Sequence, residues 1–245
     1  IADEIEVHLA KIIPVRGTEV HVMNPAPVAI HGVVDVDAQP MWVHAAAFAS
    51  AAPTSELPTD HTPVTVSTTD GIITLSNGLI SVSINPDGAI TSLRNSQRDL
   101  FATGDSAQFT LRQDTPAEYD AWDIDMADAN SPEIPLRTVK GPRIESASDL
   151  RVVVVADFAT ELSKFQVRWS LDAGSFRLDV ALDADWKEAE LRLQMILPTG
   201  VMAREATCGT QFGHVRRPRH HNTSWDVAKF EVCAHRYVHV GEPGC

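Results

Sequence analysis

The chain has 245 residues, of which 44% are hydrophobic and 22% charged, and its formal net charge is −13. This length can bury the core of one large all-β domain or of two small ones, while so acidic a balance excludes the basic surface that nucleic acid or an anionic bilayer requires. No apolar run approaches the roughly 20 residues of a membrane-spanning helix, and no basic segment followed by an apolar one opens the chain as a secretory leader would.

Ile1 in place of an initiator Met points to a processed or excised chain. Residues 1–13 read as the tail of a helix or a strand, and Asn24-Pro-Ala-Pro27 interrupts any regular element before a predicted strand at 30–37. Residues 38–63 carry Pro40, Pro53, Pro58 and Pro63 among Ala, Ser and Thr. They read as a mobile excursion, or as a short strand followed by a linker. From Val64 the β signal sharpens, with β-branched runs at 64–68, 72–75 and 79–84 separated by Asp70-Gly71 and Asn77-Gly78. Such dipeptides supply the positive φ angles of tight hairpins. Asn85-Pro-Asp-Gly88 turns the chain into a strand at 89–93, and a further strand is predicted at 108–112.

Residues 113–142 are dense in acids and prolines and read as irregular. Strands resume at 152–158, 164–171, 175–182 and 190–197, with Asp172-Ala-Gly-Ser175 as a hairpin turn. Phe176, Leu178, Val180 and Leu182 alternate with polar neighbours, as do Leu191, Leu193, Met195 and Leu197. That period of two marks half-buried antiparallel strands. Strand-like runs at 230–232 and 237–240 lie in a mixed C-terminal stretch. No segment has the pattern of a long amphipathic helix, so the predicted architecture is all-β, an antiparallel sandwich. Its expected division is a leading segment with a small β region and linker over 1–63, then a large β-sandwich over 64–245. The three cysteines, Cys208, Cys233 and Cys245, are odd in number and form no CxxC pair. They suit a reducing, cytoplasmic compartment better than a disulfide scaffold or a zinc knuckle.

Two segments carry unusual chemistry. Tyr119-Asp-Ala-Trp-Asp-Ile-Asp125 interleaves aromatic rings with carboxylates, as sugar sites do, where rings stack on apolar sugar faces and carboxylates accept from hydroxyls. The plainer reading is a loop that Trp122 anchors onto the core, with its acids solvated. Gly213-His-Val-Arg-Arg-Pro-Arg-His-His-Asn-Thr-Ser-Trp-Asp226 gathers Arg216, Arg217 and Arg219 in an acidic chain. These arginines suit a carboxylate clamp, or pair with the protein's own acids, those of the 120–125 segment among them. His220 and His221 face opposite ways on a strand, and His235 and His239 would stand about 13 Å apart, so the histidines alone make no zinc site. With 33 acids available, the two carboxylates a glycosidase uses cannot be singled out.

Gln211-Phe-Gly-His-Val-Arg-Arg-Pro-Arg-His-His-Asn-Thr-Ser-Trp-Asp-Val-Ala-Lys-Phe-Glu-Val-Cys-Ala-His235 closely resembles a signature in the C-terminal half of family 38 α-mannosidases. His221 and Cys233 depart from it. Asp120-Ala-Trp-Asp-Ile-Asp125 resembles a second signature of that half, and Asn77-Gly78 with Asn85-Pro-Asp-Gly88 and Ile90-Thr-Ser-Leu93 a third. The resemblance runs in order from Asn24 to His239. It implies a supersandwich like that of galactose mutarotase, and a retaining glycosidase that removes terminal α-mannose. It also implies that the nucleophile, and the ligands of zinc or another divalent ion, lie in an N-terminal catalytic domain outside this chain. No catalytic or metal-binding residue is therefore assigned here. Members of that family continue past the equivalent of Gly241, so an incomplete sheet edge is expected.

Three roles are open to such a chain. The first is a sandwich that buttresses the catalytic domain, itself inactive, and lends loops to its cleft through Asp120, Trp122, Asp123, Arg217, His220 and Asp226. The second is a stand-alone carbohydrate-binding module, and the third a purely structural interface. The expected partners are the N-terminal domain of the same protein and a mannose-containing saccharide.

Overall fold

The computed structural model describes residues 20–101, 104–119 and 122–242. The element expected over residues 1–13, together with Asp120 and Cys245, lies outside the described residues. Strands β1 (Val22–Met23), β2 (Ile30–Val36), β3 (Gln39–Ala45) and β4 (Ser50–Ala51) form two small antiparallel pairs, β1 with β4 and β2 with β3. Next in the chain is a four-stranded meander, built of β5 (Thr65–Thr69), β6 (Ile72–Ser76), β7 (Ile80–Ile84) and β8 (Ile90–Asn95). Its first turn is a two-residue hairpin in which Asp70 and Gly71 both have positive φ, at 51° and 80°. In the second, only Gly78 is left-handed.

A second four-stranded sheet runs in chain order through β11 (Arg137–Ala147), β12 (Arg151–Ala159), β13 (Lys164–Asp172) and β14 (Leu178–Asp185). The two four-stranded sheets share one core. Ile73, Leu75, Val82, Ile84 and Ile90 come from the meander, and Val152, Val154, Phe158, Phe165, Val167, Trp169 and Leu171 from the other sheet. Alternation along each strand sends these side chains to the inner face. Strand β12 is buried on its outer face too, at Val153 and Val155. Val155 lies opposite Arg143 on one side and Arg168 on the other, and the aliphatic stems of such long side chains cover apolar surface while their heads stay wet.

A three-stranded sheet of β10 (Ile134–Pro135), β9 (Gln108–Gln113) and β15 (Leu191–Ile196), in that order, packs Phe109, Leu193 and Met195 against the same core. The last sheet is β17 (Gly213–Pro218), β16 (Glu205–Thr210) and β18 (Val238–His239). Two four-residue helices complete the described elements, α1 (Met126–Ala129) and α2 (Ser224–Val227). The architecture is all-β and antiparallel, as expected.

Of the two readings of residues 38–63, a strand followed by largely irregular chain is the one observed, and three other local expectations are corrected. Residues 39–45 form a full strand, with Pro40 accommodated in a two-stranded pair that has no third strand to satisfy. Residues 137–147 form the eleven-residue strand β11 rather than irregular chain. Phe176 lies before β14 and is exposed. In the C-terminal stretch the main strands are β16 and β17, and 230–232 is not a strand.

Candidate functional site

The long arginine-bearing motif folds as a hairpin and a capped helix. Strands β16 and β17 pair from Glu205↔Pro218 to Thr210↔Gly213, leaving Gln211 and Phe212 as the turn. Phe212 has φ 63° and stands fully exposed. On the other side of β16, Gly209 donates to Tyr237 and accepts from the His235 amide, at 2.8 and 2.7 Å. A Cβ at Gly209 would sit 2.7 Å from the Tyr237 ring, so glycine is what lets that ring lie on the backbone. After β17 the Arg219 amide donates to the Arg204 carbonyl, and the chain enters α2 through a capping box. There Thr223 accepts from the Asp226 amide, and the Asp226 carboxylate accepts from the Thr223 amide and hydroxyl. The Thr223 hydroxyl, and then nearby His220, hold the Asp226 carboxyl below its ordinary range.

His220 and Asp226 are brought together, with Nδ1 at 3.4 Å from the carboxylate. His220 also lines a cavity of about 500 Å³ with Ala203, Arg204, Arg219 and Asn222. Ala203 and Arg204 are shared with a neighbouring cavity of about 340 Å³ that Arg216, Glu205 and His239 border. This shelf presents guanidinium donors at the surface of an acidic chain, a chemistry suited to hydroxyl and carboxylate oxygens. Internal contacts engage two of the three arginines and leave part of the third free. Arg216 stands 3.8 Å from Glu205, Arg219 donates to the Val201 carbonyl, and the buried Nε of Arg217 has no hydrogen-bond partner. Among the described residues none of the three pairs with Asp123 or Asp125.

The acidic motif is a surface loop. Tyr119 takes φ 57°, and its carbonyl accepts from the Trp122 and Asp123 amides at 2.7 and 2.9 Å. Asp125 accepts from the Ala117 amide, and buried Asp128 from the amide and hydroxyl of Thr115. These acids staple the loop to itself. Trp122 is 91% exposed, so it does not anchor the loop on the core. Asp123 is exposed beside it, and no contact joins Trp122 or Asp123 to Arg217, His220 or Asp226 among the described residues.

Residues that follow the acidic motif, and Glu231 near the end of the 211–235 signature, instead reach the outer face of the sheet β10-β9-β15, which sequence reasoning passed over. Arg112 and Arg192 are directly opposite each other, as are Thr110 and Gln194. Arg112 binds Glu133 and the Ser131 carbonyl, just after the acidic motif, and Arg192 lies 3.7 Å from Glu231 of the arginine-bearing motif. The signal was present, since the alternation that sends Leu191, Leu193 and Met195 inward sends Arg192 and Gln194 outward. The described residues include no group of three His, Cys, Asp or Glu placed to hold a metal ion. The zinc that the family resemblance implies therefore does not fit these residues, and no chemistry of this chain is routed through it.

An antiparallel β fold carrying these motifs in order defines a class, a C-terminal β region of a glycoside hydrolase. The family described as Glycosyl hydrolases family 38 C-terminal domain matches residues 75–244. The chain therefore belongs to glycosyl hydrolase family 38, as its C-terminal domain. It is 37% identical over 191 residues to Alpha-mannosidase 2C1 of Homo sapiens, covering 73% of this chain and 18% of that protein. Over 182 residues it is 31% identical to Alpha-mannosidase G of Dictyostelium discoideum, covering 70% and 16%. Over 193 residues it is 29% identical to Alpha-mannosidase of Saccharomyces cerevisiae, covering 71% and 18%. The chain thus spans less than a fifth of the length of these relatives.

Proposed function

We propose that this chain is the C-terminal β region of a retaining, metal-dependent α-mannosidase that removes terminal α-mannose from saccharides in the cytoplasm. The observation that carries the reading is the family match over 75–244, together with relatives named as α-mannosidases. In this reading the nucleophile and the zinc, or another divalent ion, belong to an N-terminal catalytic domain of the same protein. The present chain buttresses that domain and has no turnover of its own. Residues 1–63 form the leading segment and small β region, and residues 64–245 the large sandwich. Asp120, Trp122, Asp123, Arg217, His220 and Asp226 are the residues proposed to reach the substrate cleft. Of these, Trp122, with its exposed ring, and Arg217, with its unpartnered Nε, have the freest chemistry among the described residues.

The test is hydrolysis of an aryl α-mannoside by this chain alone and by the protein that contains it with a catalytic domain, each with and without added divalent metal. Turnover confined to the larger protein and stimulated by metal supports the proposal. Metal-stimulated turnover by the 245 residues alone overturns it. A stand-alone carbohydrate-binding module is the second reading, favoured by the exposed Trp122 ring beside Asp123.

A further inference from the structure

A cavity of about 300 Å³ lies where three sheets meet, lined by no residue of 119–125 or 213–226. Its walls are the turn between β7 and β8, the start of β9, the β10 segment, the start of β11 and the end of β12. Asp87, Glu133, Gln108, Thr110 and Thr138 supply two carboxylates, an amide and two hydroxyls. Phe109, Phe158, Leu136 and Pro135 supply the apolar wall, and Gly88 lies against Phe158.

Thr110 is 2% exposed, yet its hydroxyl has no hydrogen-bond partner. A buried polar group without a partner costs free energy, on the order of 1–3 kcal/mol, and such groups in native folds ask for an explanation. Valine would fill the same space without that cost. Meanwhile Glu133 is held in place at 2.9 Å by Arg112, which orients the carboxylate. Fixed acceptors, a spare hydroxyl and aromatic carbon suit a ligand with many hydroxyls and apolar C–H faces. The volume is that of a single ring rather than an oligomer. With two carboxylates on the wall, an anionic ligand is disfavoured.

We propose that this cavity binds one neutral monosaccharide unit, with Asp87, Glu133 and Thr110 engaging its hydroxyls and Phe109 and Phe158 its apolar face. The site is distinct from the loops assigned to the substrate cleft. It rests on the mannosidase reading only in the choice of mannose as the first probe.

The experiment is saturation-transfer NMR on the 245-residue chain, titrated with methyl α-mannoside, methyl α-glucoside, methyl α-galactoside and, as control, glycerol. Saturable binding of at least one glycoside at millimolar concentration, and none of glycerol, is expected. Thr138→Met, which fills the cavity from a half-buried position, should abolish that signal. Asp87→Ala should weaken it about tenfold, as the loss of a charge-assisted hydrogen bond does. Thr110→Val serves as the second variant, because removing an unpartnered hydroxyl leaves the thermal midpoint unchanged or higher while sugar binding falls several-fold. Absence of binding by every glycoside in a chain that melts cooperatively overturns the proposal, as does binding that survives Thr138→Met. Turnover by the larger protein without sugar binding here sinks this inference alone. Binding here without turnover by the larger protein sinks the mannosidase reading alone.

Discussion

Asn77 shows how one polar side chain joins two distant turns. It is 1% exposed, and its Nδ2 donates to the carbonyls of Asp172 and Ser175 at 2.7 Å each. Its Oδ1 accepts from the Leu79 and Ile80 amides at 3.0 Å. Asn77→Ala therefore strands four backbone groups, and a loss of about 3 kcal/mol is expected in urea unfolding, with at least as much from Asn77→Asp, whose second oxygen would face the Asp172 and Ser175 carbonyls with no proton to donate. Carboxylates act at the same scale through pH. Glu188 is held below its ordinary range chiefly by the Thr160 hydroxyl, and Asp157 chiefly by the Gln166 amide with Arg143 also assisting. Groups depressed in the folded state contribute stability above their unfolded values near 4, and that contribution is lost as pH falls through the lower folded values. The melting midpoint should hold down to about pH 5 and then fall towards pH 3. In Glu188→Gln the fall should be shallower; an identical profile would remove Glu188 from the account.

The turn before β8 links a residue's backbone to the packing of two sheets. Gly88 has φ 84°, and a Cβ there would lie 2.5 Å from the Phe158 ring and 3.5 Å from Trp169. Gly88→Ala meets both a left-handed backbone and a closed core, so about 3 kcal/mol or more should be lost. Gly71→Ala, with φ 80° but only Pro86 at 3.1 Å, should cost about 1 kcal/mol. Both turns were legible as Asp-Gly pairs, because only such residues accept those angles readily. The role of Asn77 was less so: it was read as a source of positive φ, whereas its neighbour Gly78 alone takes that conformation and the amide works at long range. Strand β11 was hidden for a different reason. As an edge strand it is mostly exposed, it carries Gly141 and Pro142, and its register shifts three times, so it shows no alternation. Of the candidate site, His220 and Asp226 lie within one local motif and were each named from the sequence, though their pairing was not. The Arg112–Arg192 face joins strands some eighty positions apart: local alternation turns Arg192 outward, but which strand it lies beside leaves no local pattern.

At the scale of the whole molecule, residues 20–63 meet the two four-stranded sheets through an ion-pair link, the buried ring of Trp42 and the partly buried side chains of Val33 and Leu57. Arg151 at the start of β12 binds Asp172 through Nε and Nη2, at 2.5 and 2.9 Å, and reaches Asp35 of β2 at 2.6 Å. Asp35 is more than half exposed, so that link is worth little by itself. Trp42 of β3 carries the weight. It is 2% exposed, belongs to the shared core, packs against His61 at 4.5 Å between ring centroids, and closes over Gly174. Its amide and carbonyl also exchange hydrogen bonds with Thr54 at 2.7 and 2.8 Å. Burying an indole among packed neighbours and then deleting it leaves a cavity that the sheets cannot close, so Trp42→Ala should cost about 3–5 kcal/mol. Asp35→Ala should cost less than about 1 kcal/mol. If the first sixty residues were merely tethered, Trp42→Ala would loosen them while the remaining sheets melted at an unchanged midpoint. Hydrogen exchange separates the cases: amides of β12 and β13 should lose protection together with those of β2 and β3, because one core serves both.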